Sequence, residues 1–343
     1  MPGALRSTSP MIDPEVIKVL TAGLALGAGS TWLARETAWR LGVVNQPNVI
    51  VVQHTRPIAY LGSAGIALGV AAALVLTHAL WSMPSAGMIR PDLIAGGAFY
   101  LVLGLADDLS PLRPLPKFAF QLVGAIGVVY LRTVTAGDGF DPLIALLSIV
   151  WIVTLVNAVN LTDVCDGLVA GLACIQFVTL ALLVPSTAIW SLAVAGACAG
   201  FMLFNAPAAS IFLGDAGSHL LGFWLAVLTL DLMASSYSLT SLAQAVLVAG
   251  VPLFELIFVS TMRIQKGLPW WRGSPDHFSL RLQSSGLSRW ATDSLAWAAM
   301  LLLATLAWLL QGVSALVAVA LVAGLAALLV WCWSYLQRCE SRT

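Results

Sequence analysis

Long apolar runs separated by short polar turns dominate the chain. Their Ala, Leu and Val residues run on without the alternation of a barrel strand, so lipid-buried backbone groups must pair within helices. Segments near 14–34, 58–80, 92–107, 117–131, 142–159, 167–184, 187–205, 217–233, 241–262, 291–311 and 313–335 approach the ~20 residues of a spanning helix. The pattern predicts an all-α polytopic membrane protein of about 10–11 transmembrane helices. No soluble insert, low-complexity tract or repeat divides it, so residues 1–343 form one integral-membrane domain.

Composition agrees. Of 343 residues, 59% are hydrophobic and 9% charged, where a soluble domain carries about 25% charged residues. The formal net charge is zero, which gives no basic surface for nucleic acid. Cys165, Cys174, Cys198, Cys332 and Cys339 lie in or beside apolar runs without metal-site spacing and read as small apolar residues. The N-terminus shows no cleavable signal pattern, so the first apolar run is expected to stay as a helix.

Basic residues set the orientation. Arg35, Arg40, Arg56, Arg113, Lys117, Arg263, Lys266, Arg272, Arg281, Arg289, Arg338 and Arg342 fall on one side, against Arg6, Lys18, Arg90 and Arg132 on the other. The rich side is expected to be cytoplasmic, with the N-terminus outside and the C-terminus inside. An odd helix count fits that.

Five aspartates then collect at the cytoplasmic face. Asp107 and Asp108 end the third helix, Asp163 and Asp166 follow the fifth, and Asp215 precedes the eighth. Carboxylates at a bilayer edge are costly and point to function. Asp107 and Asp108 repel each other at the negative end of a helix dipole, so a cation should accompany them. A hard divalent ion with oxygen ligands suits that place, and Mg²⁺ commonly takes one or two carboxylates plus substrate phosphates. In Phe212-Leu213-Gly214-Asp215-Ala216-Gly217-Ser218, the glycines permit close approach of a ligand. Ser218 is expected to cap the following helix, whose N-terminus favours phosphate.

The segment Asn157-Ala158-Val159-Asn160-Leu161-Thr162-Asp163-Val164-Cys165-Asp166-Gly167-Leu168 resembles the signature of the polyprenyl-phosphate N-acetylhexosamine-1-phosphate transferase family. Asp107-Asp108 with Lys117 and Gln121 resembles its first acidic motif, and Phe212 to Ser218 its third. The resemblance implies transfer of a sugar-1-phosphate, GlcNAc-1-phosphate first among candidates, from a UDP-N-acetylhexosamine to polyprenyl (undecaprenyl) phosphate. It also implies a multi-pass protein of the bacterial inner membrane, a cytoplasmic active site, Mg²⁺ with Mn²⁺ as a substitute, and room for a homodimer. By the same resemblance Asp215 is a metal ligand, joined by Asp107 and Asp108. One of that pair binds or deprotonates the lipid phosphate, and Lys117 steadies a phosphate charge. Asn160, Asp163 and Asp166 line the nucleotide pocket, and Phe212 stacks on uracil. Direct attack is favoured over a covalent phospho-enzyme.

The loop 268–282 is similar to the family's last motif, in which many relatives carry two or three histidines and this chain has His277 alone. His277, Arg272 and Arg281 are expected to bind the donor, arginine being suited to phosphate. The missing histidines favour a smaller N-acetylhexosamine over the muramoyl-pentapeptide donor. Trp270 and Trp271 read as interfacial anchors. Glu255 either pairs with Arg263 or makes a helix-packing contact. His54 is a minor site candidate, while His78 and His219 read as structural. Asn45, Val51, Val52, Ser63 and Val164 depart from the family pattern and bear on donor identity. A transporter is the rival from another class, but transporters place charge at the midplane of repeated halves. An inactive relative is the other rival, and no expected aspartate is lost.

Overall fold

Lipid offers no partner for a bare peptide group, so each apolar run closes its own hydrogen bonds as a helix. The computed structural model describes residues 14–46, 56–81, 89–136, 140–269, 271–311 and 315–339. All eleven expected segments are helical in it: α1 (Pro14–Leu41), α2 (Gly62–Trp81), α3 (Pro91–Leu109), α4 (Pro114–Ala136), α5 (Pro142–Thr162), α6 (Leu168–Leu183), α7 (Ala188–Asn205), α8 (Gly214–Ala234), the pair α9 (Leu239–Val248) and α10 (Gly250–Gln265), α12 (Arg289–Leu309) and α13 (Ala315–Arg338). A short helix, α11 (Phe278–Ser284), lies in the loop after α10.

Helices and spans are not the same count. Among the described residues seven helices are long and apolar enough to cross a membrane, or eight if α9 and α10 make one bent span. The sequence expectation of ten or eleven thus counted helices: α6 has only 16 residues, and α3 carries Asp92, Asp107 and Asp108. The all-α polytopic membrane architecture stands.

The bend between α9 and α10, 72°, has a chemical cause. Pro252 has no N–H to give the carbonyl of Val248, four residues earlier. Gln176 of α6 supplies the missing donor, its Nε2 lying 2.9 Å from that oxygen.

Helices α7 and α8 form the buried centre. Helix α1 packs on α7 and α2, while α3 and α5 flank α8, and α6 joins α7 to α12. Small residues let these helices close on each other where lipid supplies no hydrophobic drive. Gly104 of α3 is one such place: a Cβ there would collide with the backbone of Ala216 in α8. The alternation-free sequence gave no sign of a ribbon, yet β1 (Val44–Asn45) and β2 (Ile58–Ala59) pair antiparallel. Ala59 then accepts from the Phe212 N–H at 2.9 Å, and Phe212 accepts from the Gly62 N–H at 3.0 Å. That stitch ties the entry of α2 to the entry of α8.

Candidate active site

Four helix ends meet at the same end of the bundle. The C-terminus of α3 brings Asp107 and Asp108, the N-terminus of α4 brings Lys117, the C-terminus of α5 brings Asn160, and the N-terminus of α8 brings Asp215. Lys117 Nζ lies 2.6 Å from Asp107 Oδ2 and 2.6 Å from Asp215 Oδ2. Asn160 Nδ2 donates to the other Asp215 oxygen and to Ser218 Oγ, both at 2.9 Å. Asp107 uses its second oxygen to accept from the Leu112 N–H at 2.6 Å, which fixes the turn leaving α3.

The start of α8 is capped from outside its own strand of sequence. Asp108 accepts from the N–H groups of Asp215 at 2.8 Å and Ala216 at 3.0 Å, so a carboxylate sits on the positive end of the α8 dipole. The expected cap, Ser218, lies inside α8 instead, and its hydroxyl donates to the Asp215 carbonyl. The correction has a steric basis: Gly214 already begins the helix, four residues earlier than the capping pattern implied. Gly214 has φ +75°, and a Cβ there would stand 2.8 Å from Asp108 Oδ2, so both conformation and space require glycine. The Tyr60 hydroxyl also bonds Asp108. Burial, then the charges of Asp108, Asp215 and Asp163, hold that phenol far above its usual range, so it stays a donor. Beside it a cavity of about 210 Å³, lined by Gly42, Val43, Val44, Tyr60, Leu105, Asp108 and Leu109, opens against the carboxylate cluster.

A polar chain runs behind Asp215. Asn157 Nδ2 donates to Gln121 Oε1 at 2.8 Å, Gln121 Nε2 lies 3.0 Å from His219 Nε2, and His219 Nδ1 lies 2.5 Å from the Asp215 carbonyl. A carbonyl only accepts, so Nδ1 carries the proton and Nε2 takes the Gln121 amide. His219 is fully buried, in keeping with its structural reading, though it reaches the backbone of Asp215.

Asp163 caps the end of α5. Burial and then the negative charges of Asp215, Asp108 and Asp166 raise its carboxyl well above the usual range. Asp166 is turned elsewhere: it accepts from the Ala209 N–H at 3.1 Å and from Arg289 at 3.3 Å, holding the loop before α8. Phe212, half-buried in that loop, stands edge-on to Tyr60 with ring centroids 6.3 Å apart.

The last-loop residues form a second network. His277 Nδ1 lies 2.7 Å from Glu255 Oε1, and the Phe278 N–H donates to Glu255 Oε2 at 3.2 Å. Glu255 is thus an anchor for the loop. Arg281 donates to Asp276 at 2.6 Å and to the carbonyls of Leu336 and Cys339 at 3.0 and 2.8 Å, so its fork secures the end of α13. Of these three, Arg272 is exposed, while His277 and Arg281 are buried in the loop's own contacts. Ser63 is buried in the first turn of α2, and Trp271 is exposed. Trp270, Val51, Val52 and His54 lie outside the described residues.

Sequence reasoning missed the site roles of Tyr60 and Asn157. Asn157 opens the signature segment and Tyr60 lies three residues before Ser63, a departure from the family pattern; that was the available signal, but only the fold shows their partners. Among the described residues no three His, Cys, Asp or Glu side chains group as a metal site. The oxygen-only set of Asp107 and Asp215 around the Lys117 charge nonetheless fits a hard cation that takes one or two carboxylates and completes its shell with phosphate and water.

Comparison with known proteins converges on these same helices. The chain is 31% identical over 298 residues, 81% of each chain, to the Bacillus subtilis protein named "Probable undecaprenyl-phosphate N-acetylglucosaminyl 1-phosphate transferase". It is 28% identical to the undecaprenyl-phosphate alpha-N-acetylglucosaminyl 1-phosphate transferase of Yersinia pestis, over 69% of this chain and 68% of that one. It is 34% identical to the phospho-N-acetylmuramoyl-pentapeptide-transferase of Latilactobacillus sakei, over 58% of this chain and 68% of that one. The profile of glycosyl transferase family 4 matches residues 91–233, the stretch that carries Asp107, Asp108, Lys117, Asn160 and Asp215. On that likeness the chain belongs to glycosyl transferase family 4.

Proposed function

We propose that the protein transfers N-acetylhexosamine-1-phosphate, GlcNAc-1-phosphate first among donors, from a UDP-sugar to polyprenyl phosphate. The single observation that carries this is the Lys117 bridge between Asp107 and Asp215, beside Asp108 and Asn160, at one end of a membrane bundle. Relatives named as GlcNAc-1-phosphate transferases support the same reading. The rival transport reading has no comparable support, because these charges gather at a helix-end surface.

In the reaction an oxygen of the lipid phosphate attacks the β-phosphorus of the UDP-sugar. The bond from that phosphorus to the bridging oxygen breaks, and UMP leaves with its electrons. Asp215 is the residue that would hold Mg²⁺, or Mn²⁺ in its place, with Asp107 beside it kept for the lipid phosphate. The ion would neutralise diphosphate charge and stabilise the leaving UMP. Lys117 moves from its carboxylate bridge onto a phosphate oxygen. Asp107, released from Lys117, orients or deprotonates the lipid phosphate. Asn160 holds Asp215 in place, and Phe212 with Asp163 faces the nucleotide. We place this end at the cytoplasmic face of a bacterial inner membrane, following the basic loops.

The test is transfer by detergent-purified protein given undecaprenyl phosphate and a panel of UDP-sugars with Mg²⁺. UDP-GlcNAc or a related N-acetylhexosamine donor should yield lipid-linked sugar and UMP. Turnover of UDP-MurNAc-pentapeptide alone would remove the donor assignment and leave the reaction class. No lipid product with any donor would remove the function.

A further inference from the structure

The bundle holds a second charge cluster, at the end opposite the carboxylates. Arg90 precedes α3, Asp92 lies in its first turn, Arg132 lies near the end of α4, and Asp231 near the end of α8. The four close a ring of alternating sign. Arg90 lies 2.7 Å from Asp92 and 3.0 Å from Asp231, and Arg132 lies 2.7 Å from each aspartate. Asp231 sits at the negative end of the α8 dipole, where a lone carboxylate is disfavoured. The guanidinium forks compensate it. Nothing in the transfer chemistry uses these residues.

The ring grips the far ends of the three helices that carry Asp107, Lys117 and Asp215. Fifteen residues separate Asp92 from Asp107, fifteen separate Lys117 from Arg132, and sixteen separate Asp215 from Asp231. At the rise of an α-helix, each pair is about 22–24 Å apart along its own axis. Both ends of the three helices are therefore cross-braced at matching depth. Helix α4 needs the brace most. Its outer face, with Phe118, Phe120, Val123, Ile126 and Tyr130, is exposed as a lipid-facing surface would be. Apolar helix contacts in lipid resist sliding weakly, whereas a two-pronged arginine fixes distance and direction.

We infer that Arg132, held in the ring with Arg90, Asp92 and Asp231, is a positioning residue for transfer: it sets the axial register of α4 and thereby the place of Lys117 between Asp107 and Asp215. A slip of one residue would move Lys117 by about 1.5 Å, and a 1 Å misplacement can cost about a hundredfold in rate.

The inference rests on the proposed transfer reaction, so one readout is independent of turnover. Arg132→Gln opens the ring, and Arg132→Gln with Asp231→Asn opens it while leaving Arg90 and Asp92 paired and no charge orphaned. Spin labels at Leu115→Cys on α4 and Leu41→Cys on α1, both exposed, report the α4 register in a background with the native cysteines replaced. We expect both ring-opened variants to shift or broaden the label distance. Their kcat should fall at least about tenfold, with KM for UDP-GlcNAc within about twofold of wild type. The thermal midpoint should change little in the neutral double variant, and Arg132→Lys should recover part of the rate. An unchanged label distance, or kcat within twofold of wild type in a folded variant, overturns the inference. So does a rate loss that disappears when the assay runs well below the unfolding midpoint. If neither ring-opened variant folds, Arg132→Lys decides by the same distance and rate readouts. If wild-type protein transfers nothing, the proposed function has failed, while the label distance still judges the brace.

Discussion

Replacing Asp108 should cost stability before it costs chemistry. Its two oxygens accept from Asp215 N–H at 2.8 Å and Ala216 N–H at 3.0 Å. Hydrogen bonds to a charged group contribute about 1.5–3 kcal/mol each. Asp108→Ala forfeits both and leaves two helix-start donors unmet, about 3–5 kcal/mol within that range. Asp108→Asn keeps one acceptor and turns an amide N–H toward the other donor, so its cost should be about half as large. At on the order of 2 °C per kcal/mol for a large chain, the alanine variant should unfold about 6–10 °C lower and the asparagine variant about 3–5 °C lower. Thermal unfolding in detergent, followed by tryptophan fluorescence, gives the midpoints, and radiolabelled transfer below both midpoints gives the rates. Both rates should drop, because α8 presents Asp215. An Asp108→Ala protein with a wild-type midpoint would show that the cap is not what Asp108 supplies, and the assignment would fall.

Asp215→Asn should abolish transfer and weaken Mg²⁺-dependent UMP binding in calorimetry, while Asp107→Asn should stop transfer and leave that binding largely intact; equal loss of binding in both refutes the division. Chelation by EDTA should stop turnover and added Mg²⁺ restore it, whereas activity surviving exhaustive chelation would exclude the proposed metal. Gln176→Leu should lower the unfolding midpoint by the equivalent of about 1–3 kcal/mol by orphaning the Val248 carbonyl, and adding Pro252→Ala should recover much of it by restoring that carbonyl's own N–H. Burial alone would raise the Asp276 carboxyl, but Lys266 and Arg281 override it and hold it below its ordinary range. That stabilisation is present above about pH 4 and is lost as pH falls through the lowered value; Asp276→Asn should therefore flatten the acid side of the stability profile, and an unchanged profile counts against the pairing.

The helices were legible because a lipid-buried backbone leaves one solution, and the apolar runs state its length. Asp107, Asp108, Asp163, Asp166 and Asp215 were legible as a group because charge at a bilayer edge needs a reason, while Lys117 and Asn160 came from the motifs that resemble the family's. What could not be read was which partner each side chain takes. Ser218 fits a capping pattern at its own helix, but Asp108, more than a hundred residues earlier, holds the position. Arg281 has the chemistry to bind phosphate, yet two carbonyls at the end of α13 claim it. The β1–β2 ribbon is too short to leave a periodicity, and it exists because the backbones of Ala59 and Phe212 meet across the fold.

The paired aspartates show why a motif underdetermines a mechanism. Adjacent residues on a helix point about 100° apart. At the end of α3 that rotation aims Asp107 at Lys117 of α4 and Asp108 at the backbone of α8. Sequence presents two like charges that should repel, as though competing for one cation. The fold separates them by giving each its own positive partner, an ammonium for one and a helix dipole for the other. Only Asp107 has a partner that can be exchanged for substrate, since a lysine side chain can swing away and a helix N-terminus cannot. On the proposed reaction the chemistry of the pair falls on Asp107, while Asp108 holds still the helix that carries Asp215.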